Sequence, residues 1–171
     1  AGIVPPTARA EGPLLRFGDP VPRDVREMYD SGIRYLLKTQ DATGAWNDGQ
    51  AGPGVTGMAM MVLLASGEDP NFGPYREPIR KALRSMIVDQ DPETGFFGSN
   101  RGHDSMYQHG FAMLALAEAY GTVDDRTLWS EAPKMRGPGA GRSLGQALEL
   151  AVRCAVTSAK RNPLGGWRYS A

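Results

Sequence analysis

Ile33-Arg34-Tyr35-Leu36-Leu37-Lys38-Thr39-Gln40-Asp41-Ala42-Thr43-Gly44-Ala45-Trp46 reads as a helix end, a polar turn, and a glycine followed two residues later by an aromatic. The same order recurs in Met86-Ile87-Val88-Asp89-Gln90-Asp91-Pro92-Glu93-Thr94-Gly95-Phe96-Phe97. A third version runs from Ala155-Val156 through Lys160-Arg161-Asn162-Pro163 to Gly165-Gly166-Trp167. Gln40 and Gln90 are 50 residues apart, and Gly44 and Gly95 are 51 apart. A period of that size is the mark of a helical repeat. The chemistry of the turn reads as structural. A glutamine amide at a helix end satisfies orphan backbone groups, glycine permits a positive φ, and the aromatic covers the joint.

The segments between the turns alternate in character. Val25, Met28, Tyr29, Ile33, Leu36 and Leu37, with Gly32 in register, form one apolar stripe, opposed by Arg23, Arg26, Glu27, Asp30, Arg34 and Lys38. That pattern predicts an amphipathic helix starting near Asp24, with one wet side. Val55 to Ala65 carries no charge, which predicts an inner helix buried on all sides. The plan then repeats. Ile79, Ala82, Leu83, Met86 and Ile87 oppose Arg76, Arg80, Lys81 and Arg84, and the nearly charge-free Gly110–Gly121 follows. Ser143 caps a third amphipathic helix through Leu144, Ala147, Leu148, Ala151, Val152, Ala155 and Val156.

The expected architecture is all-α, built of helical hairpin repeats over about 23–72, 73–121 and 143–171. Residues 1–22 form a Pro/Gly-rich extended leader, which Leu14, Leu15 and Phe17 would pin to the first repeat. Residues 122–142, with Trp129 and Gly137-Pro138-Gly139, read as an insertion or long surface loop. Two and a half hairpins leave an outer helix with an uncovered apolar face. The expectation is therefore of completing repeats, in a longer chain or a partner subunit.

Composition narrows the partners. Nineteen basic and nineteen acidic side chains cancel, which removes the usual electrostatic case for nucleic acid. No apolar run approaches the ~18 to 20 residues of a transmembrane segment. Cys154 is the one cysteine, which rules out an internal disulfide, and its apolar neighbours predict a small buried thiol. The compartment is not encoded; an Ala start is compatible with export after removal of a signal peptide.

The alternating outer and inner helices, joined by Gln-x-x-x-Gly-x-Trp turns, resemble the repeats of the squalene–hopene cyclase and protein prenyltransferase β-subunit superfamily. Gln40, Gly44 and Trp46 match the turn motif fully. Gln90, Gly95 and Phe97 match with one extra residue and Phe for Trp; Gly166 and Trp167 match without the glutamine. The resemblance covers residues 24–171 and implies an α/α toroid, with chemistry on the loops leading into the inner helices. Here those loops are 47–56 and 98–109. The second holds the only unusual polar cluster: Arg101, His103, Asp104, Tyr107 and His109. These residues are the ligand or pocket candidates. His109 and Asp104 are expected to point toward the toroid axis, against the alternative that Asp104 or Ser105 caps a helix while Tyr107 and His109 bond into the wall.

The family's own chemistry is not written in this segment. Asp104-Ser105-Met106 stands where the zinc-dependent prenyltransferases carry Asp-x-Cys, so no metal or other cofactor is expected. The proton-donating Asp-x-Asp-Asp of the cyclases has no match, since Val123-Asp124-Asp125 lacks the first acid. Catalytic residues are unassigned and enzymatic activity stays open. Two functions remain: an apolar, isoprenoid- or lipid-like ligand bound in a toroid cavity, with Met58, Met60, Met61, Met113 and Phe111 among the lining, or a non-catalytic helical scaffold for a protein or peptide.

Overall fold

The computed structural model describes residues 21–46, 52–98, 105–130, 132 and 134–167. Residues 1–20 of the leader with the expected anchors Leu14, Leu15 and Phe17, residues 47–51 of the 47–56 loop, and Arg101, His103 and Asp104 lie outside the described residues. Five helices occur in order, α1 (Arg23–Thr39), α2 (Pro53–Leu64), α3 (Arg76–Val88), α4 (Ser105–Ala119) and α5 (Leu144–Arg161). There is no strand among the described residues. The chain is all-α.

The local chemistry explains most boundaries. α1 begins at Arg23 behind Pro22, with no side-chain cap, so the expected Asp24 cap is not used. Pro53 opens α2 in the first turn, where a missing N–H costs nothing. α5 starts on a full capping box: Ser143 Oγ accepts from Gln146 N, and Gln146 Oε1 accepts from Ser143 N. Asp125 Oδ2 accepts from Leu144 N at 2.6 Å, adding a carboxylate at the same helix start.

α2 and α4 form the inner pair. Gly54 meets Gln108 and Gly57 meets Phe111, Ala112 and Ala115, so the two helices run in the same direction. A Cβ on Gly57 would fall 2.9 Å from Phe111 O, and its absence lets the backbones approach. α3 packs on α2, α5 on α4 and α1 on α2, giving an outer layer against the inner pair. Met60, Leu63, Ile79, Leu83, Met86, Ile87 and Leu116 fill the space between the layers.

Five expectations need correction. α2 is not buried on all sides, because Met58 and Val62 are exposed on the face turned away from the outer layer. The α1 stripe is mostly uncovered: Ile33 is buried, whereas Val25, Met28, Tyr29 and Leu37 are exposed. Arg80 and Arg84 are not on a wet face; both are buried. Arg80 donates to Asp124 O and Thr127 Oγ1, and Arg84 to Leu128 O. The covering segment is the 122–142 insertion, which is therefore no surface excursion. It buries Val123 and Leu128, anchors Trp129 Nε1 on Arg142 O at 2.7 Å, and brings Gly139 N to Val88 O at 2.9 Å. Finally, Cys154 is only half-buried; burial and the Asp91 charge push its thiol pKa up.

Candidate functional site

The turns are the most fully built feature of the molecule. Gln40 Nε2 donates to Gly44 O (3.0 Å) and across to Pro78 O (2.9 Å) near the start of α3. Gln90 Nε2 donates to Gly95 O (2.9 Å) and across to Ala147 O (2.9 Å) near the start of α5. In each turn the glycine has positive φ and sits on the next outer helix, three residues beyond that acceptor. Gly44 abuts the Lys81 carbonyl, and a Cβ on Gly95 would lie 2.5 Å from Leu150 O. One amide thus fastens its own turn and the following repeat together.

The aspartate after each glutamine shapes the loop. Asp41 Oδ1 accepts from Thr43 N, Thr43 Oγ1 and Ala45 N, and Asp91 Oδ1 accepts from Glu93 N, Thr94 N and Thr94 Oγ1. These bonds lower both carboxyl pKa values, led by the Thr43 hydroxyl at Asp41 and the Thr94 N–H at Asp91. The aromatic then closes the joint. Trp46 is 6% exposed and its Nε1 donates to Leu36 O at 2.9 Å; Phe97 is 1% exposed.

His109 belongs to this machinery. Trp46 N donates to Thr56 Oγ1 (3.2 Å), and Phe97 N donates to His109 Nδ1 (3.1 Å). His109 therefore does in the second repeat what Thr56 does in the first. With Nδ1 accepting, the ring proton sits on Nε2, which donates to Ala151 O at 3.1 Å on α5. The ring stacks on Phe96 with centroids 5.0 Å apart. Of the two readings of His109, the geometry follows the one that bonds it into the wall: it is fully buried and tied to turn two and the outer layer. Tyr107 is exposed on α4, apart from it. Arg101, His103 and Asp104 lie outside the described residues.

Burial lowers the His109 pKa from its ordinary 6.5, partly offset by the bond to Ala151. The folded state thus takes up this proton less readily than the unfolded chain, so stability is complete above the unfolded value and falls as pH drops through it toward the lower folded value. The carboxylates Asp41 and Asp91 act only below their ordinary 3.8. Urea unfolding between pH 7 and pH 5 is expected to show stability decreasing with acid. A His109→Gln variant, which keeps an acceptor and a donor, is expected to lose most of that slope.

Three clefts adjoin the joints; the one of about 510 Å³ on the outer side of turn one is lined by Thr43, Lys81, Arg84 and Met135, and the other two lie nearer the candidate residues. One, of about 300 Å³, lies between turns one and two and is lined by Trp46, Pro53, Thr56, Met86, Asp89 and Phe97. The other, of about 580 Å³, lies between turn two and α5, with Glu93, Phe96, Arg153, Cys154 and Arg161. None of the three brings a histidine together with a carboxylate among its lining residues. Among the described residues no group of three or more His, Cys, Asp or Glu side chains is placed to hold a metal. Asp124 and Asp125 serve the loop: Asp124 pairs with Arg126, which holds its carboxyl far below the usual range, and Asp125 caps α5. No helix among the described residues is long and apolar enough to cross a membrane.

The exposed apolar face of the inner pair was anticipated in part: Met58 and Phe111 stand on it as expected, whereas Met60 is fully buried, and Val62, Tyr107 and Leu114 were not foreseen there. Met58 and Val62 on α2, and Tyr107, Phe111 and Leu114 on α4, are exposed large side chains. The signal for it is the absence of charge along both helices, a pattern that complete burial would produce equally well. Searches for similar proteins return no matching family model, no matching curated protein and no matching solved structure.

Proposed function

We propose that the chain is part of an α/α toroid-type repeat domain whose inner face binds an apolar, isoprenoid- or lipid-like ligand. The single observation that carries this reading is the exposed face of α2 and α4. Met58, Val62, Tyr107, Phe111 and Leu114 stand on it, and Glu118 near the end of α4 is the one charged residue of the two helices. An apolar surface of this kind, concentrated on two adjacent helices, marks a binding surface. The toroid reading rests on the two joints, each of which sets the next outer helix against the layer in the same way. The superfamily's acid and zinc motifs are absent from this sequence, so the proposed role of this segment is binding.

The test is calorimetric titration with farnesol and geranylgeraniol as probes. Saturable binding is expected, weakened at least about tenfold by the pair Phe111→Glu and Leu114→Glu. Both positions are exposed, so far-ultraviolet circular dichroism should be unchanged. Absence of binding, or binding indifferent to both charges, overturns the ligand reading in favour of a scaffold for a protein or peptide.

A further inference from the structure

The exposed stripe of α4 ends in a charge. Tyr107, Phe111, Leu114 and Glu118 follow one another at steps of four, three and four residues, so they share one face of the helix, and all four are exposed. At 1.5 Å per residue the stripe runs about 16 Å from Tyr107 to Glu118. α2 lies alongside in a fixed register, because Gly54 meets Gln108 and Gly57 meets Phe111. The same step carries Leu64, the last residue of α2, to the level of Glu118. The two helices run in the same direction, so the negative ends of both dipoles come to the end of the face where the carboxylate stands.

The cations nearby in the chain have other partners. Asn71 ties together the loops that follow α2 and α4, donating through Nδ2 to Thr122 O at 2.8 Å and accepting from Asp124 N at 2.7 Å. Of the arginines in and beside these loops, Arg126 pairs with Asp124 at 2.6 Å and Arg76 pairs with Glu77. Arg80 is buried and donates to Asp124 O and Thr127 Oγ1. The other carboxylates are Asp125, which accepts from Leu144 N, Asp69, which accepts from Asn71 N and Phe72 N, and exposed Glu68. Glu118 makes no ion pair among the described residues. A neutral chain laid over an unpaired carboxylate strips water from it without return, and an anionic head would meet like charge. A cationic head avoids both costs.

We infer that the ligand of the inner face is a cationic amphiphile, an isoprenoid- or lipid-like chain lying along Tyr107, Phe111 and Leu114 and ending in a protonated amine on the Glu118 carboxylate. The inference rests on the apolar-ligand reading and adds the head group to it. Glu118 is exposed, so the ammonium keeps part of its hydration while its chain leaves water. An ion pair of this exposed kind strengthens binding by up to about fivefold, and salt screens it while leaving the contribution of the chain in place.

Calorimetric titration with three probes of one chain, farnesylamine, farnesol and farnesoic acid, tests it below their micellar concentrations at about pH 7, where the amine is protonated and the acid ionised. The amine is expected to bind tightest and the acid weakest, with the amine about three- to fivefold tighter than the alcohol at low salt. At about 1 M salt that gap should close. Glu118→Gln is expected to bring the amine to the level of the alcohol and leave the alcohol unchanged. Glu118→Lys is expected to reverse the order, with the acid tightest. Both variants keep Glu118 O as acceptor for Thr122 Oγ1, so circular dichroism should not change. Farnesol binding with no preference for the amine, or a preference that survives Glu118→Gln, overturns the head group and leaves the apolar-ligand reading standing. Binding of none of the three overturns both.

Discussion

Trp46→Ala is expected to lower the unfolding free energy by about 3 to 5 kcal/mol, the range for truncating a buried aromatic. The indole is 6% exposed, and its loss opens a cavity at the α1–α2 joint and removes one of the donors on Leu36 O, which keeps its bond from Gln40 N. Its backbone N–H, bonded to Thr56 Oγ1, would stay in place, so the damage is to packing and not to the path of the chain. Trp167→Ala is the built-in comparison. Its ring makes the same kind of indole bond, to Ala155 O, but is 59% exposed, so the loss should be well under half as large. Urea unfolding of the two variants measures both.

Gln90→Leu is expected to cost about as much, by a different route. Gln90 is fully buried, and its one amide serves Gly95 O, Ala147 O and, through Oε1, Arg142 Nη1 at 2.9 Å. Leucine has similar volume and none of these groups, so Gly95 O loses its side-chain donor and the Arg142 guanidinium its best acceptor, while Ala147 O keeps only its bond within α5. At about 1 to 3 kcal/mol for each buried partner lost, the carbonyl and the guanidinium together come to about 2 to 5 kcal/mol. Gln40→Leu should cost less, since Gln40 is only partly buried and among the described residues no arginine bonds its oxygen. Measuring the two in parallel separates the amide's role from a general penalty for losing a glutamine.

The joints were legible in the sequence because their chemistry is local. A glutamine at a helix end, a glycine needing positive φ and a covering aromatic each have a short-range reason to stand where they do. What the amide grips was not legible, since Pro78 and Ala147 contribute only backbone. The equivalence of His109 and Thr56 was hidden for a related reason. The fold asks for an acceptor at that position, and two unlike side chains supply it, so the sequence left a histidine in a polar cluster open between pocket chemistry and a bond into the wall. Arg80 and Arg84 read as solvent-facing because periodicity reports where charges lie on a helix, not what a non-periodic loop later lays over them. α1 shows the converse: its stripe of Val25, Met28 and Tyr29 states what asks for cover without saying what provides it.

Gly95 offers the most direct test of the claim that each turn fixes the next repeat. Alanine at Gly95 and at Gly121 suffers the same left-handed backbone penalty, since the φ values are +76 and +83. Only at Gly95 does the added Cβ strike another helix, 2.5 Å from Leu150 O, while at Gly121 it meets open space. Urea unfolding of Gly95→Ala and Gly121→Ala should therefore differ by about 2 kcal/mol, the scale of a forced overpacking, with Gly95→Ala the less stable. Equal losses at the two positions would contradict the account, because turn two would then not be seated on α5.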